Sequence, residues 1–253
     1  MKKITLTTDA IHQGDLILVN PAHGLKAETQ ERLIPILESA PSVLLQERAA
    51  QALERLMAAI NGWQGIAPVS GWRSFQEQNQ IWDSTVRESG LEFTKKYVAV
   101  PGHSEHQTGL AIDLGLRQEH IDFICPDFPD IGICQTFREQ AAAHGFILRY
   151  PAGKETVTGI AHEPWHFRYV GVPHATFMAR AGLTLEEYLC LLRQYPYGGP
   201  PLETWEAEKE YRIHHIKAPA GITLELSETK GHSVSGDNVD GFILTEWRKS
   251  DAQ

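Results

Sequence analysis

Two histidines and an aspartate constrain this chain more than any other feature of it. His106 and Asp113 lie in S-E-H-Q-T-G-L-A-I-D, Ser104 to Asp113, and His166 closes E-P-W-H, Glu163 to His166. The first segment passes from a loop, GHSEHQTG, into LAIDLGL. There Leu110, Ile112 and Leu114 alternate with Ala111, Asp113 and Gly115, which predicts a strand with one face against a core. Trp165–Val170 alternates in the same way, with Trp165, Phe167 and Tyr169 on one face and His166, Arg168 and Val170 on the other. A catalytic zinc takes three protein ligands from His, Asp, Glu or Cys and keeps a position open for water. For these three to meet, loop and strand must bend His106 and Asp113 to one point. His166 must then arrive from a different strand across the same sheet. Glu163 precedes His166 by three residues, a spacing that puts the two on opposite faces of a regular strand. Pro164 is expected to break that regularity and turn both toward one cleft.

Taken singly, each residue also fits a plainer role. A histidine here is one of 12 and is ordinarily a surface or hydrogen-bonded group. Asp113 reads equally as a turn cap, Glu163 as a solvated carboxylate, and Trp165, Phe167 and Tyr169 as core aromatics. His103, His120, His144, His162 and His174 take the ordinary reading, with His103 and His162 adjacent to the site in sequence.

The rest of the chain supplies a frame of mixed helix and strand. Apolar residues from Leu45 to Ile60 recur at helical spacing and stop at Asn61-Gly62. Ser74 and Glu77 form an S-x-x-E capping box for a helix that ends before Gly90. Phe93–Val98 and Thr136–His144 predict shorter helices, and Phe146–Tyr150 a strand. Thr184 and Glu187 repeat the capping box ahead of Tyr188–Leu192. The Pro/Gly cluster YPYGGPP, Tyr195 to Pro201, predicts a boundary between residues 1–195 and a β-rich appendage of residues 196–253 packed on them. Strands are expected there at Tyr211–Ile216, Ile222–Leu226 and Phe242–Thr245, with a Gly236-Asp237-Asn238 turn before the last.

Composition removes several function classes. With 253 residues, 42% of them hydrophobic, the chain buries a sizeable core without needing a staple. A formal charge of -9 argues against nucleic acid, which is bound mainly by neutralising Lys and Arg. Cys125, Cys134 and Cys190 lack any zinc spacing and read as small buried hydrophobes of a reducing compartment, with a Cys125–Cys134 disulfide or a reactive thiol as the alternatives. The opening MKKITLTTDAIHQGD places Asp9, His12, Gln13 and Asp15 where a signal peptide needs an apolar run. No membrane anchor is expected, and a cytoplasmic location is.

S-x-H-x-x-G-x-A-x-D, followed about 50 residues later by E-x-W-H, resembles the signature of the VanX/VanY group of zinc D,D-peptidases. A third block, S-G-W-R-S-F-Q-E-Q from Ser70 to Gln78, is similar to that group's S-G-[YW]-R-S-x-x-x-Q element. Together the three cover about residues 65 to 175, and the chain looks most like the bifunctional VanXY-type dipeptidase/carboxypeptidases of vancomycin resistance. The resemblance implies an α+β fold, a small antiparallel sheet flanked by helices as in hedgehog and D,D-peptidase domains. It implies one Zn2+ on His106, Asp113 and His166. Glu163 is implied as the proton shuttle, Arg73 as the oxyanion donor, and Ser104 and Gln78 as contacts for the substrate carboxylate. Gln78 lies in the first turn of the helix capped by Ser74, a place favourable to an anion. Asp127 and Asp130 read better as solvated loop acids than as contacts for a substrate ammonium.

The implied partners are D-Ala-D-Ala and D-Ala-terminated peptidoglycan precursors, with oligomeric state left open. Two alternatives stand beside this one. One is an endolysin-type L-Ala-D-Glu peptidase sharing the same motifs. The other is a non-catalytic metal-dependent peptidoglycan-binding protein, against which Glu163 and Arg73 argue, because binding alone needs no base.

Overall fold

A computed structural model describes residues 1–218 and 220–248. The first half runs β1 (Lys2–Leu6), β2 (Leu33–Pro35), β3 (Leu44–Gln46), α1 (Glu47–Ile60), β4 (Ile66–Ser70), α2 (Phe75–Ser89), α3 (Leu91–Tyr97) and β5 (Ala111–Leu116). It continues through α4 (Gly132–Ala141), β6 (Phe146–Tyr150), α5 (Glu155–Thr158), β7 (Glu163–Tyr169), α6 (His174–Ala181) and α7 (Leu185–Leu192). Five strands follow: β8 (Leu202–Glu206), β9 (Lys209–Lys217), β10 (Ile222–Leu226), β11 (Lys230–Gly236) and β12 (Gly241–Arg248). None of the described helices is long and apolar enough to cross a membrane.

Contacts divide the chain into two compact units, Val19–Ala175 and a second made of Met1–Leu18 with the chain from Thr176 onward. The first is built on a four-stranded antiparallel sheet of order β4-β5-β7-β6. The apolar side of α1 (Ala49, Leu53, Leu56) and Phe137 of α4 close over Leu110, Ile112, Leu114 and Phe167, all of them under 1% exposed. Phe128, Phe137 and Phe167 meet edge to face with centroids 4.8 to 5.7 Å apart, the arrangement favoured by aromatic quadrupoles.

Most of the expected elements are present, with adjusted ends. Leu45 and Gln46 belong to β3, so α1 begins only at Glu47; it ends as expected, on Asn61 in the left-handed conformation. The Ser74–Glu77 capping box opens α2, with both reciprocal bonds made. The helix expected from Thr136 starts four residues earlier, at Gly132. β5 departs more informatively, because Ala111 to Gly115 are all buried and neither face meets solvent. One face packs into the core, as expected, and the other carries Asp113 into an enclosed polar site.

The second unit holds a sheet of order β11-β12-β9-β8 and a two-stranded pairing of β1 with β10. Its core is Ile11, Ile216, Leu224, Leu226, Phe242 and Leu244. The boundary expected at Tyr195–Pro201 falls inside this unit. Tyr195 and Tyr197 exchange backbone hydrogen bonds with His215 of β9, so the Pro/Gly cluster is a bridged turn. At the Gly236-Asp237-Asn238 turn, Asp237 Oδ1 accepts from the backbone N–H of Val239, Asp240 and Gly241 at 2.8 to 3.0 Å, and Asn238 takes the left-handed conformation. All three cysteines are free, and Cys190 is exposed, which corrects the expectation that every cysteine is buried.

Candidate metal centre

The site is one row across three strands. Ser70 of β4 pairs with Asp113 of β5, and Asp113 pairs with His166 of β7. The third candidate ligand therefore lies directly opposite the second. The step toward Glu163 is irregular: between the Leu148–Phe167 and Tyr150–Glu163 pairs, β6 advances two residues while β7 advances four. That bulge, between Glu163 and Phe167, leaves Glu163 Oε2 3.8 Å from His166 Nδ1, where a regular strand would part them.

His106 arrives from a single tight turn, Glu105–Thr108, just before β5. Two glycines of the motifs are required by its geometry. Gly109 ends the turn at φ +72, and a Cβ there would stand 2.7 Å from Leu33. At Gly71 a Cβ would meet the Leu44 carbonyl oxygen at 2.3 Å. That close approach leaves the Gly71 carbonyl to hydrogen-bond His106 Nδ1 at 2.7 Å. Gln107 and Thr108 have structural duties, Gln107 accepting from Gly102 N–H and Thr108 bonding the Glu105 carbonyl and Leu110 N–H.

Donor atoms of His106, Asp113 and His166 lie within 4.8 Å of one another, and all three residues are buried. His106 Nε2 is 3.0 Å from Asp113 Oδ2, and His166 Nδ1 is 2.9 Å from Asp113 Oδ1. With His106 Nδ1 committed to Gly71, only its Nε2 faces the cluster. Two imidazoles and one carboxylate converging in this way fit the ligand set of a catalytic zinc.

Arg73 closes one side. Its Nη2 donates to Asp113 Oδ2 at 3.0 Å, its Nε to Ser70 Oγ at 2.7 Å, and its Nη1 to Gln78 Oε1 at 3.4 Å. Gln78 in turn donates to the Ala99 carbonyl. Ser104 is buried and lines the same cleft, along with Tyr150, Trp165 and Phe123.

Burial opposes charge on Asp113, yet His106 and His166 outweigh it and hold the carboxyl below its usual range. Burial and the neighbouring Arg73 charge push His106 down to about 4, leaving its imidazole neutral at ordinary pH. For His166, burial is overcome by Asp113, with Glu105 and Glu163 adding to it, and the imidazole is raised to about 9. Glu163 is pushed up to about 8, first by burial, with Asp113 and Glu105 adding to it against His166 and Arg73.

Residues given no role from sequence also stand here. Glu105, inside the S-E-H motif, is fully buried between Arg149 and Arg168, and its Oε2 lies 3.5 Å from His166 Nε2. Ser70 orients Arg73, and Tyr150 packs its ring 4.9 Å from that of His166. By contrast, the ring nitrogens of His103 and His162 hydrogen-bond the backbone carbonyls of Asn20 and Tyr150. Asp130 is an exposed ion-pair partner of Arg138.

Residues 42–172 match the VanY family, D-alanyl-D-alanine carboxypeptidase. Over 184 residues the chain is 46% identical to VanXYC of Enterococcus gallinarum, a bifunctional D-Ala-D-Ala dipeptidase and D-Ala-D-Ala carboxypeptidase. That match covers 71% of this chain and 95% of the relative. Among solved structures, the vancomycin-resistance D,D-dipeptidase VanXYg, bound to a D-Ala-D-Ala phosphinate analogue, matches with a TM-score of 0.95 and 42% identity. It covers 98% of this chain and 99% of that one. A mutant of the D,D-pentapeptidase VanY from a VanB-type resistance cassette, in complex with Zn(II), matches with a TM-score of 0.59 and 34% identity. There the match covers 69% of this chain and 98% of the other.

Proposed function

Because the chain belongs to the VanY family of D-alanyl-D-alanine carboxypeptidases, we propose that it hydrolyses D-Ala-D-Ala and the terminal D-Ala of cytoplasmic muramyl-pentapeptide precursors, giving vancomycin resistance. It is a peptidase with the α+β fold of the vancomycin-resistance D,D-peptidases. The proposal adds one zinc per chain on His106, Asp113 and His166. It is carried by the convergence of those three donors beside Glu163 and Arg73 in one buried cleft.

When bound, zinc supplies a Lewis acid for the scissile carbonyl and acidifies water toward neutrality. The side chains do the rest. Glu163 is not one of the convergent ligands, and its carboxylate is the base that takes the water proton and returns it to the departing D-Ala amine. Arg73 uses three of its five N–H donors on Asp113, Ser70 and Gln78. The remainder form a fixed fork for the carbonyl oxygen as it gains charge. Ser104 is the direct donor to the substrate carboxylate. Gln78 donates one amide N–H to the Ala99 carbonyl and holds Arg73 through its Oε1, and its second N–H is the further donor to that carboxylate. Replacing Arg73 with alanine is expected to lower kcat on D-Ala-D-Ala by roughly 100- to 1000-fold. A variant keeping more than about a tenth of the rate would remove Arg73 from this role.

The deciding experiment measures free D-alanine released from D-Ala-D-Ala and from the muramyl pentapeptide by zinc-loaded protein. Release that stops with a chelator and returns with zinc is expected. Cleavage of assembled wall at L-Ala-D-Glu without D-alanine release would replace this reading with the endolysin one. Absence of hydrolysis from any of these would leave a binding protein.

A further inference from the structure

We propose that Glu105 is a positioning residue that fixes the ring orientation and tautomer of His166, so that Nδ1 is the nitrogen offered to the metal. The inference rests on the zinc reading above and deepens it. Glu105, Arg149 and Arg168 form a group of three charged side chains with no solvent exposure. Arg149 Nε and Arg168 Nη1 both donate to the same oxygen, Glu105 Oε1, at 2.8 and 2.7 Å. The carboxylate is therefore anchored by one oxygen and presents the other. That second oxygen, Oε2, is buried without a hydrogen-bond partner, and so is His166 Nε2, 3.5 Å away.

Two unsatisfied buried atoms facing each other are costly if they stay apart, about 1–3 kcal/mol for each group. Closing the gap to an ordinary N–H···O distance of about 2.9 Å needs only a small shift. The chemistry agrees in direction. A neutral imidazole carries one N–H, and His166 Nδ1 already faces Asp113 at 2.9 Å within the ligand cluster. With the Nδ1 lone pair given to a metal, the proton belongs on Nε2, where Glu105 Oε2 waits as its acceptor. A carboxylate behind a ligating histidine fixes the tautomer and makes the imidazole a stronger ligand. The two arginines account for the contacts at Oε1, and the positioning role accounts for Oε2, which they leave free to face His166 Nε2.

The test is zinc affinity, read by competition with a chromophoric chelator on variants whose circular dichroism shows them folded. Glu105→Gln is expected to bind zinc roughly 10- to 100-fold more weakly than wild type. Should that variant not fold, Glu105→Asp keeps the charge between the arginines and draws the carboxyl back by one methylene; it too is expected to lose affinity. Wild-type affinity in either folded variant overturns the proposal. A second readout needs no variant: imidazole nitrogen NMR of the cadmium-loaded wild type, expected to show the metal coupled to His166 Nδ1 and a proton on Nε2. Coupling to Nε2, in a protein that still releases D-alanine, overturns this inference alone. A wild type that binds no metal overturns the zinc reading, and this inference with it.

Discussion

Replacing Glu163 with glutamine is expected to remove almost all turnover while leaving the zinc in place. The two effects separate because Glu163 is beside the proposed ligands without being one of them. Its Oε2 is 3.8 Å from His166 Nδ1, and the convergent donors are those of His106, Asp113 and His166. One general acid or base is typically worth 10²- to 10⁴-fold. Glu163 is asked to act twice, deprotonating water and then protonating the leaving amine, so a loss in kcat at the upper end, about 10³- to 10⁴-fold, is expected. KM for D-Ala-D-Ala should change little, and metal analysis should still find about one zinc per chain. Turnover within tenfold of wild type would sink the assignment, and loss of the zinc would make Glu163 a ligand.

The same substitution carries a stability signature of opposite sign. Burial pushes the Glu163 carboxyl from 4.5 up to about 8, so the metal-free fold prefers it neutral. A group with a raised folded pKa contributes stability that is complete below its unfolded pKa. That contribution is lost as pH rises from near 4.5 through about 8. Glutamine is neutral throughout, so metal-free Glu163→Gln should match wild type in acid and be at least as stable at pH 8. A cation among the ligands favours the ionised carboxylate and removes the difference. Keeping the proposed base at a cost to the fold is the usual exchange of stability for activity.

How much of this could be read in the sequence depended on how local the cause was. The capping boxes at Ser74 and Thr184 are each complete within four residues, and both formed as expected. His106 and Asp113 belong to one short segment, and the need for a third ligand pointed to His166. The strand register then supplied what spacing alone did not, setting Asp113 opposite both Ser70 and His166. Glu105 was illegible for the opposite reason. Its partners Arg149 and Arg168 are 44 and 63 residues away, and each sits in a strand where an arginine reads as the solvent side. The pairing of β1 with β10, across some 220 residues, was hidden in the same way. So was the unit boundary, because YPYGGPP reads locally as a linker and only its bridges to His215 show otherwise.

His106→Ala should abolish metal binding itself. A catalytic zinc held by three side chains has no spare ligand to lose. His106 is also the best prepared of the three. Its Nδ1 is fixed on the Gly71 carbonyl at 2.7 Å, and burial with Arg73 nearby holds its pKa down at about 4. It therefore offers a neutral, oriented Nε2 without first releasing a proton, as ligation requires. Its loss should cost well beyond the roughly 10- to 100-fold typical of residues behind the ligands. D-alanine release should fall to background.

The fold should survive that substitution, because the core around Leu53, Leu56, Ile112, Phe137 and Phe167 is complete without any ligand residue. Thermal denaturation can distinguish metal loss from unfolding. Zinc at about 100 times its Kd stabilises a binding-competent fold by about 2.7 kcal/mol. Wild-type Tm should therefore climb with added zinc, while the variant melts near the metal-free wild type and stays there. A zinc-dependent rise in the variant, with turnover retained, would show that the metal is held elsewhere. The assignment of His106, Asp113 and His166 would then fail together.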